Sequence, residues 1–300
     1  MKEKYDLFFY ACSFVHDLSN LDNIHGWEEC SRFRVAFIME SWSNLLKDQK
    51  GYMKYLDRFD HLFLLNASSI PNLQKMTRAP CTFLPLAADC VAASPFPHLP
   101  ARSIDVYSMG RRAPAVHRQL SEAMQKNDLL YLFDTTHSGV VIDWAESRQM
   151  TADLIKRSKY FVTFDHTIGS ALKAREASGE VALSMRYFEG AAGGAVMIGS
   201  KPKCAEFREC FDWPDSVLEI PEHPEDIIEI LKEFDSDAER LNGIRRTNVM
   251  ESHLRHDWSH RWQEVLEVCG LPSTSAIAER QSLLTGWANS MQKDTAARSP

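Results

Sequence analysis

The sequence predicts an α/β protein of two domains in series, and three observations predict it. Short apolar runs of the kind that form buried strands recur along the chain, separated by segments with helical spacing. A stretch with three prolines, A-A-S-P-F-P-H-L-P-A-R-S from Ala92 to Ser103, interrupts the alternation. Proline removes a backbone donor and fixes φ, so a linker fits there better than an element interior. The length of 300 residues also suits two domains, at about 150 residues each. The expected division is a first domain at 1–100, a second at 101–270 and a C-terminal tail at 271–300 with a frayed end.

Each element follows from its own residues. Y-D-L-F-F-Y-A-C-S (Tyr5–Ser13) reads as a strand, followed by a polar loop and a helix. F-R-V-A-F-I-M-E (Phe33–Glu40) is a second strand, and S-N-L-L-K-D-Q-K-G-Y-M-K-Y-L after it carries helical spacing. H-L-F-L-L-N (His61–Asn66) and C-T-F-L-P-L (Cys81–Leu86) complete a parallel sheet covered on both faces. Past the prolines come a strand at Ile104–Gly110, a helix with Val116, Leu120 and Met124 on one side, and the strand D-L-L-Y-L-F-D. The helix W-A-E-S-R-Q-M-T-A-D-L-I-K-R-S and the strand K-Y-F-V-T-F follow. The strand S-V-L-E-I-P, the helix P-E-D-I-I-E-I-L-K-E-F and one long helix from Asp237 to about Val268 close the series. Two such units make a two-Rossmann architecture.

The net charge of −7 argues against a protein that grips nucleic-acid backbones, because that binding needs clustered Lys and Arg. The N-terminus has no A-x-A-like cleavage site, and no apolar run reaches membrane-spanning length. The seven cysteines are scattered and form no C-x-x-C pair, so neither a disulfide framework nor a zinc ribbon is indicated. The expectation is a reduced, soluble, cytoplasmic protein.

Chemistry concentrates in S-M-R-Y-F-E-G-A-A-G-G-A-V-M-I-G-S, Ser184–Ser200. Arg186 and Glu189 lie three apart on a helical face, where a plain surface ion pair is the simplest reading. Gly190, Gly193 and Gly194 then cost helix propensity, roughly 1 kcal/mol each. That cost is tolerated where the backbone must come close to a ligand or another element. A helix N-terminus suits phosphate, and a carboxylate accepts from the vicinal hydroxyls of a ribose. Together they suggest a nucleotide, although neither G-x-G-x-x-G nor a Walker loop is present.

M-R-Y-F-E-G-A-A-G-G, with K-Y-F-V-T-F before it and an apolar strand after, resembles the donor segment of GT-B glycosyltransferases. The likeness is to the "glycosyl transferases group 1" family that includes CgeB-like proteins, whose R-x-F-E-x-x-A-x-G meets Arg186, Phe188, Glu189, Ala192 and Gly194 or Gly193. L-P-L-A-A-D (Leu84–Asp89), I-D-V-Y-S-M-G-R-R (Ile104–Arg112) and R-H-D-W-S-H-R-W (Arg255–Trp262) resemble further family segments, so the likeness runs from about 84 to 270. It implies a GT-B fold, two Rossmann-like domains facing across a cleft, with a reduced N-terminal domain. It also implies transfer of a sugar from a nucleotide-diphosphate donor, a co-substrate rather than a cofactor, without a metal. Glu189 would hold the ribose. Gly110, Arg111, Arg112, Arg186 and the amides of Gly190, Gly193 and Gly194 would meet the diphosphate.

The resemblance implies a hexosyltransferase-like enzyme, with retention of configuration slightly favoured. Val181 stands where retaining families often carry a second glutamate, and the first domain is short. Both departures favour the alternative of a degenerate GT-B module that binds without catalysis, and a sugar-nucleotide epimerase is a third reading. The acceptor is a glycan, a lipid carrier, a natural product or a protein.

In an open parallel sheet, ligands sit beyond the carboxyl ends of the strands. In the first domain that places His16 and Asp17 as candidates for a general base or for holding sugar hydroxyls, with Glu40 behind them. A loop or capping role is the plain alternative for both. D-S-D at Asp235–Asp237 imitates a metal motif but precedes a helix, so capping accounts for it better. His253, His256 and His260 have helical spacing without a completing carboxylate, and packing is the better account.

Overall fold

Four apolar runs of the first hundred residues pair as one parallel sheet in sequential order: β1 (Tyr5–Cys12), β2 (Ser31–Ile38), β3 (His61–Leu64) and β4 (Cys81–Phe83). The computed structural model describes residues 3–134, 141–165 and 167–296. This sheet belongs to a unit made of Met1–Pro85, Ser170–Leu183 and Val265–Pro272; the second unit holds Leu86–Gly169, Ser184–Glu264 and Ser273–Pro300. Both faces of the first sheet are buried, as parallel pairing demands: Ala36, Ile38, Leu62 and Leu64 on one side, Val35, Phe37 and Phe63 on the other.

The second unit carries a five-stranded parallel sheet of β5 (Ile104–Ser108), β6 (Tyr131–Phe133), β7 (Ser158–Thr163), β8 (Val196–Gly199) and β9 (Leu218–Glu219). Its order is β6-β5-β7-β8-β9. The chain goes one way from β5 to β6, then crosses back to β7 and continues outward. The loops after β5 and β7 therefore leave in opposite directions, which makes their carboxyl ends a topological switch point. On one face Val106, Val162 and Ile198 pack with Val116 and Leu120 of the helix Pro114–Gln125 and Ile227 and Leu231 of the helix Ile227–Asp235. The opposite face takes the helices Trp144–Lys156 and Met185–Ala192; a Cβ on Gly190 would come within 2.7 Å of Phe161 and 2.9 Å of Met197.

Several local expectations change. The helix expected after β2 is two pieces, an α-helix at Ser43–Asp48 and a 3-10 helix at Lys50–Arg58, breaking at Gln49. The long helix from Asp237 divides into Ala238–Arg255 and Trp258–Val268, because the backbone between them turns to pair with Ala88: Ala88 N donates to His256 O and Trp258 N to Ala88 O. The C-terminal tail carries a helix, Ser275–Ala296, with Leu284, Ala288 and Met291 buried along one stripe, and the end expected to fray lies partly outside the described residues. Asp237 caps its helix by accepting from Arg240 N at 2.9 Å, as its place before the helix suggested. Helices at Ala171–Ala177 and Ala205–Cys210 went unread in the sequence. Among the described residues no helix is long and apolar enough to cross a membrane.

Candidate functional site

At the carboxyl end of β5 the chain turns through Met109 and Gly110, whose φ of +68° is a left-handed value that a side chain would strain. Its amide donates to both carboxylate oxygens of Asp134, at 3.0 Å each, just past the end of β6. Arg112 Nη1 donates to the Asp134 carbonyl at 2.9 Å while its guanidinium lies 5.1 Å over the Phe133 ring. Gly169, in the loop after β7, sits so close that a Cβ would fall 2.5 Å from the Arg112 carbonyl. The two loops of the switch point are thus in contact through a glycine.

Arg186 reaches this corner from the first turn of the Met185–Ala192 helix. Its Nη1 donates to Arg111 O at 3.1 Å, and Nη2 lies 3.5 Å from where a Gly110 Cβ would be. Burial first, and then the charge of Arg111, pull its pKa below the ordinary arginine value. Arg186 therefore meets the backbone of Gly110 and Arg111, while the Arg112 guanidinium is held at Asp134 and Phe133.

Glu189 lies one turn further along and is only 12% exposed. Arg148, from the Trp144–Lys156 helix, donates to Oε1 at 2.7 Å; Oε2 is buried with no hydrogen-bond partner. Burial raises the carboxyl's pKa, and Arg148 only partly offsets it. Tyr107 on β5 feels both acids: burial, then the charges of Asp134 and Glu189, push its phenol up to about 12. Arg186 and Glu189 do not act as the simple pair that their spacing suggests, since each takes a different partner.

The glycines after Glu189 are closely packed. Gly190 presses on Phe161 and Met197, Gly193 on Ile155, and Gly194, at φ +62°, on Val249. A side chain at any of the three would clash inside the unit. The amides of Gly193 and Gly194 donate to the carbonyls of Glu189 and Ala191 as the helix closes. The Gly110 amide is likewise engaged by Asp134.

In the first unit, His16 and Asp17 follow β1, with side chains 46% and 30% exposed. Asp17 accepts from Phe14 N at 2.8 Å, a capping bond for the 3-10 turn Val15–Asn23, and its other oxygen lies 3.4 Å from His16 Nε2. Glu40 accepts from Trp42 Nε1 at 2.5 Å and faces Lys173 at 3.4 Å. The three histidines of the late helices are packed: His256 lies against Phe188 and Phe211 and meets Cys210 O at 2.7 Å, and His260 meets His253 O at 3.3 Å.

Sequence reasoning missed Arg148, Asp134 and Gly169. Asp134 had a legible signal, a carboxylate at a strand end. Arg148 and Gly169 had none, because their partners are 41 and 57 residues away in the chain.

The family model described as "Glycosyl transferase-like" matches residues 111–267, just over half the chain. No curated protein matches the sequence. Among solved structures, the chain is similar to an alpha-glucosyltransferase in complex with UDP-glucose and DNA containing an abasic site. That likeness has 12% identity over 88% of this chain and 80% of that one, with a TM-score of 0.52, and it bears on the fold. A second neighbour is the Glycosylation Associate Protein (Gap123) complex from Streptococcus agalactiae, at 14% identity and a TM-score of 0.41; the match covers 94% of this chain and 55% of that one.

Proposed function

This chain belongs to the glycosyl transferase-like family, with the Rossmann-like parallel sheets of the GT-B fold, and from that premise we propose that it transfers a sugar from a nucleotide-diphosphate donor. The donor is held at the carboxyl edge of the second sheet, and the acceptor supplies a hydroxyl or amine. One observation carries the reading: a buried carboxylate, Glu189, whose second oxygen lacks a hydrogen-bond partner, one turn from Arg186 at a topological switch point. A buried acceptor without a donor is costly. Ribose hydroxyls are donors of the right kind.

The groups assigned to the diphosphate are Arg186 and, beside it, Arg111 and Arg112, because a guanidinium fork matches phosphate oxygens. Backbone amides are not assigned to it, since those of Gly110, Gly193 and Gly194 already have acceptors. The arginines would stabilise the charge of the leaving diphosphate, which supports transfer without a metal. His16 and Asp17 are the candidates for handling the acceptor proton, and Asp17 also has its capping bond to keep.

A thermal-shift series against UDP, GDP, dTDP, CDP and ADP, with NAD as control, tests this on wild type and Glu189→Ala. One nucleotide diphosphate at 100 times its Kd is expected to add about 2.7 kcal/mol to wild type and nothing to the variant. A midpoint that no nucleotide moves overturns the donor site and favours the degenerate module. If donor turnover yields an epimerised sugar, the epimerase reading replaces transfer, and a strict Mn²⁺ requirement removes metal independence.

A further inference from the structure

At the opposite, amino edge of the second sheet, Arg102 precedes β5 and donates to Ser158 O at 2.7 Å, where β7 begins. It also reaches Ile155 O and Gly193 O, both at 3.4 Å. Beside it lies a cavity of about 420 Å³, within the size range of small-molecule sites. Phe96 and Leu99 of the proline-rich segment, together with Val249, give it apolar walls; Arg102, Arg245 and Arg246 give it positive charge. Among the described residues no carboxylate lines it.

The arginines are costly as they stand. Arg245 Nε is buried with no hydrogen-bond partner, while its Nη1 donates to Asn242 Oδ1 at 3.1 Å. Burial, then the neighbouring charge of Arg245, pull the Arg102 pKa down to about 10. Asp235 is an acid that acts on Arg245, and it already accepts from the Tyr160 hydroxyl at 2.7 Å. Two cations crowded in an apolar pocket, one with a donor to spare, are relieved by an anion. In a chain of net charge −7 such a concentration of guanidinium groups is local and specific.

We propose that this pocket binds an amphipathic anion, a phosphate or carboxylate headgroup held by Arg245 and Arg102 with an apolar chain along Phe96, Leu99 and Val249. The proposal does not rest on the donor site, which lies at the other edge of the sheet.

The test uses the full chain with dodecyl phosphate and dodecanoate below their micellar concentrations, dodecanol below its solubility limit, and inorganic phosphate. Binding is followed by calorimetry and by emission of Trp287, whose ring is 6.0 Å from that of Phe96. Dodecyl phosphate or dodecanoate is expected to saturate one site, with dodecanol and inorganic phosphate at least about tenfold weaker; the tighter of the two anions identifies the headgroup. Arg245→Gln is expected to weaken the anion about tenfold. Leu99→Glu does the same by repulsion and is safe for the fold, since Leu99 is 75% exposed. Absence of saturable binding, equal affinity for dodecanol, or an unchanged affinity in either folded variant overturns the proposal.

Discussion

Asp257 and Glu189, both in the second unit, are carboxylates taken out of water and held in opposite ways. Asp257 has no side-chain exposure. It accepts from Cys90 N at 3.0 Å, from Ser259 N at 2.9 Å, and from Nε and Nη2 of Arg280 at 2.7 Å each. Arg280 extends the network to Asp89 at 2.6 Å. Burial presses the Asp257 pKa upward, but the bonds from Arg280 and Ser259 more than reverse it, and the group lies below the usual aspartate value. Glu189 has one donor, Arg148, and lies above the usual glutamate value. A carboxylate with every lone pair engaged fastens the late helices to the Ala88–Cys90 segment. One left half engaged is suited to a partner from outside the chain.

The largest effect that can break this contrast is at Asp257. Replacing it with alanine leaves Arg280 with Asp89 alone and takes the side-chain acceptor from the amides of Cys90 and Ser259, and breaking a buried pair in this way costs about 3–5 kcal/mol. Denaturant unfolding of Asp257→Ala measures it. A loss within the range of an exposed ion pair, up to about 1 kcal/mol, would show that the network is decorative and remove the contrast.

Glu189→Gln is expected to do much less to the free protein. Arg148 is 57% exposed and regains water when its partner is lost, so the change in native stability stays below about 1 kcal/mol. The sign follows from linkage. A carboxyl whose pKa is raised on folding favours the native state most when protonated, and that contribution fades as pH rises through the raised value. At pH 7 a neutral glutamine therefore gives up little. Urea midpoints of the two proteins decide it; a loss as large as that of Asp257→Ala would class Glu189 as scaffold.

The contrast also explains what the sequence could and could not show. Strands β5, β7 and β8 were legible because each is a short apolar run whose burial needs no knowledge of its neighbours. Gly110 to Arg112 could be placed at a strand end, and Arg186 and Glu189 on one helix, by local spacing alone. The meaning of Gly190, Gly193 and Gly194 was not local. Their reasons are Phe161, Ile155 and Val249, and a glycine opposite a core side chain looks in sequence like a glycine opposite a ligand. Asp257 was likewise hidden, because its partners Cys90 and Arg280 are 167 and 23 residues away. The tail helix was readable in principle from Leu284, Ala288 and Met291, but its small and polar neighbours diluted the stripe.

The smallest effect is the sharpest, because it separates binding from folding by pH. A ribose hydroxyl donates to an ionised carboxylate, so nucleotide affinity should fall once Glu189 gains a proton. Its raised pKa puts that fall above the ordinary glutamate value of 4.5, whereas the stability from Asp257 persists until pH drops below the ordinary aspartate value of 3.8. Titration from pH 7 downward with a sugar nucleotide, whose phosphodiester groups take up no proton in this range, should lose affinity while far-UV circular dichroism holds. Arg148→Ala removes the charge that lowers the Glu189 pKa, so the affinity midpoint should move to higher pH in that variant. Were the midpoint unmoved, the titrating group would not be Glu189, and the half-engaged carboxylate would lose its claim to the ribose.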